Sequence, residues 1–392
     1  MSSPRQPSTA AVRAALDCDT QFGAVVPPIH LTSTFSFKGF GEPRQYDYTR
    51  SGNPTREALA CALAELEGGA GAVVTASGLA AVMLVTQLLN SGDLLVAPHD
   101  CYGGTYRLLN ALHERGCLRV LFVDQTDQSA VTSALEQKPA WVWIETPSNP
   151  LLRIVDIATL ATQSHAAGAN VLVDNTFLSP VWQRPIALGA DLVLHSTTKY
   201  LNGHSDVVGG AVVSASKELH EKLCWWANCI GVTGAPFDSY LTLRGIRTLH
   251  ARLAIHGENA GRIASYVSQH PGAARVFYPG LPTHPQHALA ARQQQGFGAM
   301  LSFELKGGAD QVRAFVAGLQ CFSLAESLGG VESLIAHPAS MTHAGMAAVA
   351  RKRAGISDTL LRLSIGIEAI EDLLADLDRA FVRAAKARGT AT

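Results

Sequence analysis

The fold is decided by the stretch at residues 171–199, which reads VLVDNTFLSPVWQRPIALGADLVLHSTTK. Its apolar runs at 171–173 (VLV) and 192–194 (LVL) have the length and composition of short buried strands. Polar residues follow each run at once, with Asp174 after the first and Ser196, Thr198 and Lys199 after the second. Parallel strands of this kind collect ligand-binding side chains at their carboxyl ends. We therefore expect these four residues to lie close together.

The same alternation extends to both sides of this stretch. Further β-rich runs occur at 72–74, 94–96, 120–123 and 141–144, and segments with helical length and spacing separate most of them. Another apolar run at 207–213 is predicted to close the sheet. The alternation predicts an α/β fold in which helices sandwich a large, mostly parallel sheet.

The 392 residues are long enough for two domains of about 100–200 residues each. Residues 1–55 show no sustained periodicity of apolar residues and are predicted to form an extended N-terminal arm. Asn53-Pro54 has the pattern of a helix N-cap followed by proline at the first helical position. We therefore place a large domain at 56–256. Near its end, a long helical stretch follows Phe237. Residues 257–392 mix helices with strands such as 299–304, which predicts a smaller C-terminal α/β domain.

Composition excludes several classes of function. The net charge is −1 and there is no long basic or acidic run, which argues against nucleic-acid binding. No apolar stretch is long enough for a transmembrane helix, and no secretory signal is evident at the N-terminus. The seven cysteines include no CxxC pair and the 14 histidines no HExxH motif. We therefore predict a cytoplasmic protein without disulfides and without a metal site.

Lys199 and Asp174 suit the chemistry of pyridoxal 5′-phosphate (PLP). A lysine that binds an aldehyde as a Schiff base must lose its proton, which a crevice promotes by lowering its pKa. The ring nitrogen of PLP needs an acidic partner if the ring is to accept electrons. The carboxyl ends of two predicted strands supply the lysine and the acidic residue. Each residue alone is more often an ordinary polar group that caps a turn, and it is their combination that favours PLP.

Three other segments extend this hypothesis. Ser77-Gly78 opens a helix after a strand and could bind a phosphate, although the same pattern is common in ordinary helix caps. Tyr102 follows another strand and could stack on a planar ring or pack in the core. Arg362 lies within an apolar run, where it needs either a substrate carboxylate or an internal salt bridge.

Along essentially its whole length the chain resembles the Cys/Met-metabolism PLP enzymes, the γ-subfamily of fold-type I. The motifs that carry the resemblance lie at 48–56 (YTRSGNPTR), 145–150 (ETPSNP), 173–177 (VDNTF), 196–204 (STTKYLNGH) and 325–333 (AESLGGVES). The resemblance implies the fold-type I architecture and PLP as the cofactor. It also implies a homotetramer, a dimer of dimers in which two subunits share each active site.

The resemblance implies a role for each matching residue. Lys199 would bind the cofactor and move protons, Asp174 would pair with the ring nitrogen, and Tyr102 would stack on the ring. The residues that would hold the phosphate are Gly78, Leu79, Ser196 and Thr198, together with Tyr48 and Arg50 of the neighbouring subunit. The residues that would bind the substrate α-carboxylate are Asn149, Ser327 and Arg362.

Three further segments, at 97–107, 225–234 and 295–304, together with Glu326, refine the implied reaction. It is a γ-replacement in which L-cysteine displaces the carboxylate at Cγ of O-succinyl- or O-acetyl-L-homoserine, giving L-cystathionine. The alternatives are γ-elimination from cystathionine, replacement with sulfide, and a catalytically inactive binding protein on the same fold. Glu326 would position the amine of the cysteine moiety.

The sequence departs from the family at a residue that is expected to bind the acyl group of the substrate. Where related succinyl-ester enzymes carry a second arginine after Arg50, this chain has Ser51. Arg107 could still bind a succinyl carboxylate, with Asp47 and Asn228 nearby. Leu79 stands where methionine is common, which is a swap that conserves side-chain volume.

Overall fold

The computed structural model describes residues 5–344 and 348–387. A seven-stranded sheet forms the centre of the larger part of the chain. Its strands are Gly71–Thr75 (β1), Leu94–Pro98 (β2), Arg119–Val123 (β3), Trp141–Glu145 (β4), Asn170–Asp174 (β5), Leu192–His195 (β6) and Gly210–Ser214 (β7). The chain belongs to the α/β class, and the mostly parallel sheet that the alternation predicts is present.

The strands lie in the order β1-β7-β6-β5-β4-β2-β3. The β2–β3, β2–β4, β4–β5 and β5–β6 pairs are parallel, whereas β7 is antiparallel to both of its neighbours. The run at 207–213 therefore does not close the sheet at an edge: strand β7 begins at Gly210 and is inserted between β1 and β6. Strand order depends on long-range pairing, which a local apolar run does not encode.

Helices cover both faces of this sheet, and further helices lie in the C-terminal part of the chain. The helices are Pro7–Val12 (α1), Pro54–Glu67 (α2), Gly78–Thr86 (α3), Gly103–Glu114 (α4), Gln128–Leu135 (α5), Ile157–Ala166 (α6), Ser179–Trp182 (α7), Lys217–Ile230 (α8), Pro236–Ile246 (α9), Leu249–Gln269 (α10), His287–Gln293 (α11), Ala309–Val316 (α12), Ala348–Ala354 (α13) and Ile370–Ala387 (α14). A 3₁₀ turn spans Pro185–Leu188. Apolar side chains of the central strands point alternately to the two faces of the sheet. Those on one face pack with α2, and those on the other face pack with α3.

Helix α2 begins where its sequence predicts. The side chain of Asn53 accepts hydrogen bonds from the backbone N–H groups of Thr55 and Arg56, and Pro54 occupies the first position of the helix. Gly68 ends the helix in the left-handed region, with φ 76°. The helix follows an arm that contains α1 and is otherwise irregular, apart from isolated bridges such as Thr34–Tyr48.

A second, five-stranded sheet lies in the C-terminal part of the chain. Its strands are Ala273–Phe277 (β8), Met300–Leu305 (β9), Ser323–Leu324 (β10), Leu334–Ala336 (β11) and Leu360–Ser364 (β12), in the order β10-β11-β12-β9-β8. Only β10 and β11 pair in parallel among these strands. The predicted strand at 299–304 is β9, and Arg362 lies on the central strand β12.

The long helical stretch after Phe237 is divided in the structure. Helix α9 ends at Ile246, and α10 then runs unbroken over Leu249–Gln269. The predicted limit between the two domains, at 256/257, therefore falls within a helix that packs against both α1 and β8. The three-part division of the chain stays a prediction.

Candidate active site

A cavity of about 450 Å³ lies at the carboxyl ends of β4, β5 and β6, beside the N-terminus of α3. Its volume is in the range of small-molecule and cofactor sites. Eleven of the sixteen residues that the sequence singles out line it. They are Gly78, Leu79, Tyr102, Asn149, Asp174, Ser196, Thr198, Lys199, Glu326, Ser327 and Arg362. Residues from both sheets thus surround one space.

Lys199 follows β6 and points into this cavity. Its Nζ donates a hydrogen bond to Oγ of Ser327 at 2.8 Å. Burial, reinforced by the positive charge of Arg362, lowers the pKa of Lys199 from 10.5 to about 8, while Glu326 acts in the opposite direction. A neutral amine is therefore accessible near physiological pH, as nucleophilic attack on an aldehyde requires.

Asp174 ends β5 and stands beside Glu145, its register partner at the end of β4. An oxygen of Asp174 accepts a hydrogen bond from the backbone N–H of Thr176 at 3.0 Å. Burial raises the pKa of the Asp174 carboxyl, and burial together with Asp174 raises the pKa of Glu145 well above its usual value. A cation bound at Asp174 would favour its charged form, which is what a protonated ring nitrogen supplies.

The start of α3 forms an anion cradle. Oγ of Ser77 caps the helix by accepting from the N–H of Ala80, and the first N–H groups of a helix have no partner within it. A Cβ at Gly78 would lie 3.0 Å from Cβ of Ser196, so glycine keeps this approach open. Thr198 differs in part from its expected role, because its hydroxyl is already hydrogen-bonded to the backbone of Gly209.

Tyr102 stands at the first turn of α4 with 45% of its surface exposed. It is therefore not a packed core tyrosine, and its ring is free to cover a ligand in the cavity. Its backbone N–H donates to Oε2 of Glu145 at 2.8 Å. The segment that carries Tyr102 is thereby attached to the end of β4.

Arg362 is buried, with 3% of its surface exposed. It donates to Oδ1 of Asn149 at 3.0 Å and to the backbone oxygen of Ser327 at 2.9 Å, while its Nε has no partner in the part of the chain that the structure describes. None of the ion pairs between described residues includes it, which leaves the internal salt bridge without support. The guanidinium thus faces the cavity with capacity to bind a carboxylate.

Five of the predicted site residues do not line the cavity of their own chain. Arg50 instead donates to the backbone oxygen and Oδ1 of Asn228, at 2.8 and 2.7 Å. Asp47 accepts from the hydroxyl of Ser51 at 2.7 Å. Tyr48, beneath the Arg50 guanidinium, is about half exposed, and Arg107 is an exposed residue of α4.

The structure adds residues to which the sequence assigns no role. Glu145 lines the cavity, and its position at a strand end next to Asp174 is the signal that could have identified it. Thr176 joins two strand ends, because its N–H donates to Asp174 and its hydroxyl accepts from the N–H of Ser196. The others are Val82, Thr105, Pro147, Phe177, Leu194, Val208, Leu328 and Thr342, and Ser77, whose segment the sequence analysis connects with a phosphate, lines the cavity as well.

This set of side chains fits PLP. The cavity offers an amine with a lowered pKa, a half-buried carboxylate that forms no ion pair with a described residue, and a glycine-lined helix start for a phosphate. Arg362, which also lines the cavity and forms no ion pair with a described residue, supplies a guanidinium that suits a substrate carboxylate. Among the described residues no group of three or more His, Cys, Asp or Glu side chains is arranged to hold a metal ion.

Comparisons with known proteins agree with this geometry. Residues 8–382 match the family described as Cys/Met metabolism PLP-dependent enzyme. The chain is 60% identical to cystathionine γ-synthase of Escherichia coli over 97% of this chain and 99% of that one. It is 48% identical to cystathionine γ-lyase of Dictyostelium discoideum over 95% and 96% of the two chains. A solved structure of cystathionine γ-synthase from Xanthomonas oryzae in complex with cystathionine superposes with a TM-score of 0.97 and 62% identity, covering 98% of this chain and 100% of that one.

Proposed function

The chain belongs to the Cys/Met metabolism PLP-dependent enzymes, and from this membership we propose that it catalyses the cystathionine γ-synthase reaction. The sulfur of L-cysteine replaces the acyloxy group at Cγ of O-succinyl-L-homoserine or O-acetyl-L-homoserine, which leaves as succinate or acetate, giving L-cystathionine for methionine biosynthesis by transsulfuration. The observation that carries the proposal is the 60% identity over nearly the full length of both chains to an enzyme with this activity.

Binding of the substrate is assigned to the far side of the cavity. Arg362 and Asn149 hold the α-carboxylate, and Ser327, whose Oγ lies 2.8 Å from Nζ of Lys199, keeps the lysine next to the reacting carbons. Glu326 orients the amine of the incoming cysteine. The carboxylate-binding side is thus separate from the phosphate cradle at Gly78, so the substrate enters in one orientation.

Bound PLP supplies an electron sink that acidifies the bonds at Cα of an amino acid. Asp174 holds the ring nitrogen, and Tyr102 covers the ring face. Lys199 acts as the base that removes the Cα proton and then a Cβ proton, so that the carboxylate leaves Cγ. After the cysteine sulfur has bonded to Cγ, Lys199 returns protons to Cβ and Cα, because its long flexible side chain reaches both carbons. Its lowered pKa makes the neutral amine available for the first of these steps.

We also assign the protein to a homotetramer in which the N-terminal arm serves a neighbouring subunit. Tyr48 and Arg50 lie outside the cavity of their own chain. The arm exposes large apolar side chains, among them Phe22 (82%) and Leu31 (71%), which a subunit contact would cover.

A cytoplasmic location belongs to the same proposal. The seven cysteines are all free, and five of them are exposed, a state that a reducing compartment maintains. Within the described ranges, moreover, no helix has the length and apolar character that crossing a membrane requires.

The proposal is tested by a product assay. Purified holoenzyme is supplied with L-cysteine and either acyl-homoserine, and in a separate reaction with cystathionine alone. We expect cystathionine from at least one ester and a much slower breakdown of cystathionine. The Lys199→Ala variant is the matched control and should form no product.

Two results would overturn the assignment. Efficient conversion of cystathionine to cysteine, ammonia and 2-oxobutanoate without appreciable synthesis would make the protein a γ-lyase. Preferred use of sulfide over cysteine would make it a sulfhydrylase.

A further inference from the structure

A buried pair of ionisable side chains lies beneath the active site, on the opposite face of the large sheet. Nε2 of His195 donates to Oε1 of Glu67 at 2.7 Å, and the two side chains are 1% and 0% exposed. The same Glu67 oxygen also accepts from Nδ2 of Asn175 at 2.8 Å. Neither Glu67, His195 nor Asn175 lines the cavity, and the proposed reaction uses none of them.

The location of Glu67 is energetically costly. It is the last residue of α2, where the helix dipole disfavours a negative charge, and its second oxygen is buried without a hydrogen-bond partner among the described residues. An apolar pair of similar volume at such a buried site is often as stable as an ion pair. Stability alone therefore gives no reason for a carboxylate at this position.

The pair instead connects the two strand ends that carry the cofactor-binding residues. Asn175 directly follows Asp174, and His195 ends β6 four residues before Lys199. Side chains alternate between the faces of a strand, so these neighbours point to α2 while Asp174 points to the cavity. One carboxylate oxygen thus holds the ends of β5 and β6 together.

The third cavity-lining strand is tied to the same cluster. The side-chain amide of Gln183 donates to Oδ1 of Asn175 and to the backbone oxygen of Thr146, each at 3.1 Å. Thr146 directly follows Glu145 at the end of β4. Hydrogen bonds behind the sheet therefore fix the ends of β4, β5 and β6 relative to one another.

We propose that Glu67 is a positioning residue, which holds Asp174 and Lys199 at the separation the cofactor requires by binding Asn175 and His195 from behind the sheet. The inference rests on the proposed function for the roles of Asp174 and Lys199. Glu67 itself touches neither the cofactor nor the substrate, and its effect is transmitted through the two strand ends.

The test uses Glu67→Gln in the holoenzyme. The amide has nearly the shape of the carboxylate but lacks its charge, so both hydrogen bonds that the oxygen accepts become weaker. PLP is achiral, and its visible circular dichroism arises from being held in one orientation. We expect the dichroism per bound PLP to fall and the Kd for PLP to rise about tenfold, which corresponds to about 1.4 kcal/mol.

Asp376→Asn is the matched control. Asp376 is also a fully buried carboxylate, but it accepts from the backbone N–H groups of Gln320, Cys321 and Phe322, and none of these four residues lines the cavity. This variant should lower the melting temperature and leave both the dichroism per bound PLP and the Kd unchanged. The comparison separates positioning from a general loss of stability.

A Glu67→Gln holoenzyme with the wild-type dichroism and Kd would overturn the inference, as would equal changes in Asp376→Asn. If Glu67→Gln does not accumulate as folded protein, Asn175→Ala takes its place, because it removes one of the two connections and leaves the Glu67–His195 pair. Wild-type values in that variant contradict the inference equally. If wild-type protein carries no borohydride-reducible PLP on Lys199, the site assignment itself fails, which is a distinguishable result.

Discussion

At the scale of single residues, Lys199 shows how an ordinary side chain becomes reactive. Its pKa falls to about 8 because the side chain is buried and close to Arg362, which forms no ion pair of its own within the described part of the chain. Arg362 is the residue that we propose binds the substrate carboxylate. The two cations are therefore coupled, and binding of an anionic substrate at Arg362 is expected to raise the pKa of Lys199 again.

The lowered pKa gives a prediction about pH. In the cofactor-free protein, only the neutral amine of Lys199 attacks the aldehyde of PLP. The rate at which PLP becomes borohydride-reducible should therefore rise with pH and level off above a midpoint near 8, far below the 10.5 of an ordinary lysine. Stopped-flow absorbance from about pH 6 to 10 measures this rate, with Nα-acetyl-lysine as the reference.

Glu326→Gln checks the sign of this effect. The negative charge of Glu326 raises the pKa of Lys199, so its removal should move the midpoint to lower pH. A midpoint at 10.5 in the wild type, or a shift to higher pH in the variant, contradicts this explanation.

At the scale of elements, the relative position of β7 and α3 depends on a close approach between the backbones of Gly210 and Ser77. Gly210 pairs with Thr75 of β1, and a Cβ added to it would lie 2.2 Å from the backbone oxygen of Ser77, just before α3. The start of α3 is the proposed binding site for the phosphate of PLP. The insertion of β7 beside β1 thus places the cradle at the cavity, and glycine is required where the two meet.

Gly210→Ala should accordingly weaken both the fold and the cofactor site. The methyl group displaces Ser77 and Gly78, at a cost of about 1–3 kcal/mol in the free energy of unfolding, and the Kd for PLP should rise. Urea unfolding and PLP titration measure the two effects.

Gly261→Ala is the control for this substitution. Gly261 lies within α10 with open space around its Cα, so alanine there should stabilise the protein by up to about 1 kcal/mol. The explanation fails if the two variants have the same stability and the same affinity for PLP.

Element-level structure was predictable where it depends on local pattern. The start of α2 at Asn53-Pro54 and the strands at 171–173 and 192–194 follow from capping chemistry and short apolar runs. The insertion of β7 and the break between α9 and α10 were not predicted. Strand order is set by pairing between distant segments of the chain. The helical spacing of the apolar residues hardly changes across Arg247-Thr248, where the helix breaks.

At the scale of the whole molecule, the proposed role of Tyr48 and Arg50 requires that subunits share their active sites. If Arg50 serves the neighbouring subunit, Arg50→Ala and Lys199→Ala protomers complement one another. A mixed dimer then contains one site with both Arg50 and Lys199 intact and one site that lacks both.

Co-expression of the two variants with different affinity tags tests this arrangement. The tandem-purified mixed dimer should regain about half of the wild-type activity per dimer at limiting PLP, as a two-fold symmetric interface requires. Each variant alone, purified in the same way, is the control. Activity of the mixed dimer no greater than the mean of the two parents would show that Arg50 acts within its own chain, or not at the site.

The sequence by itself determined the α/β class, the strand ends that carry Asp174 and Lys199, and the chemistry those side chains offer. These features follow from residue type and local spacing, which the chain displays directly. Only the tertiary structure decided that Arg362 meets Asn149 across 213 positions of the chain, that Glu67 lies behind Asn175 across 108, and that Glu145 stands beside Asp174. Such contacts arise when distant segments are buried together, and no local pattern of the sequence records which partners the packing will bring into contact.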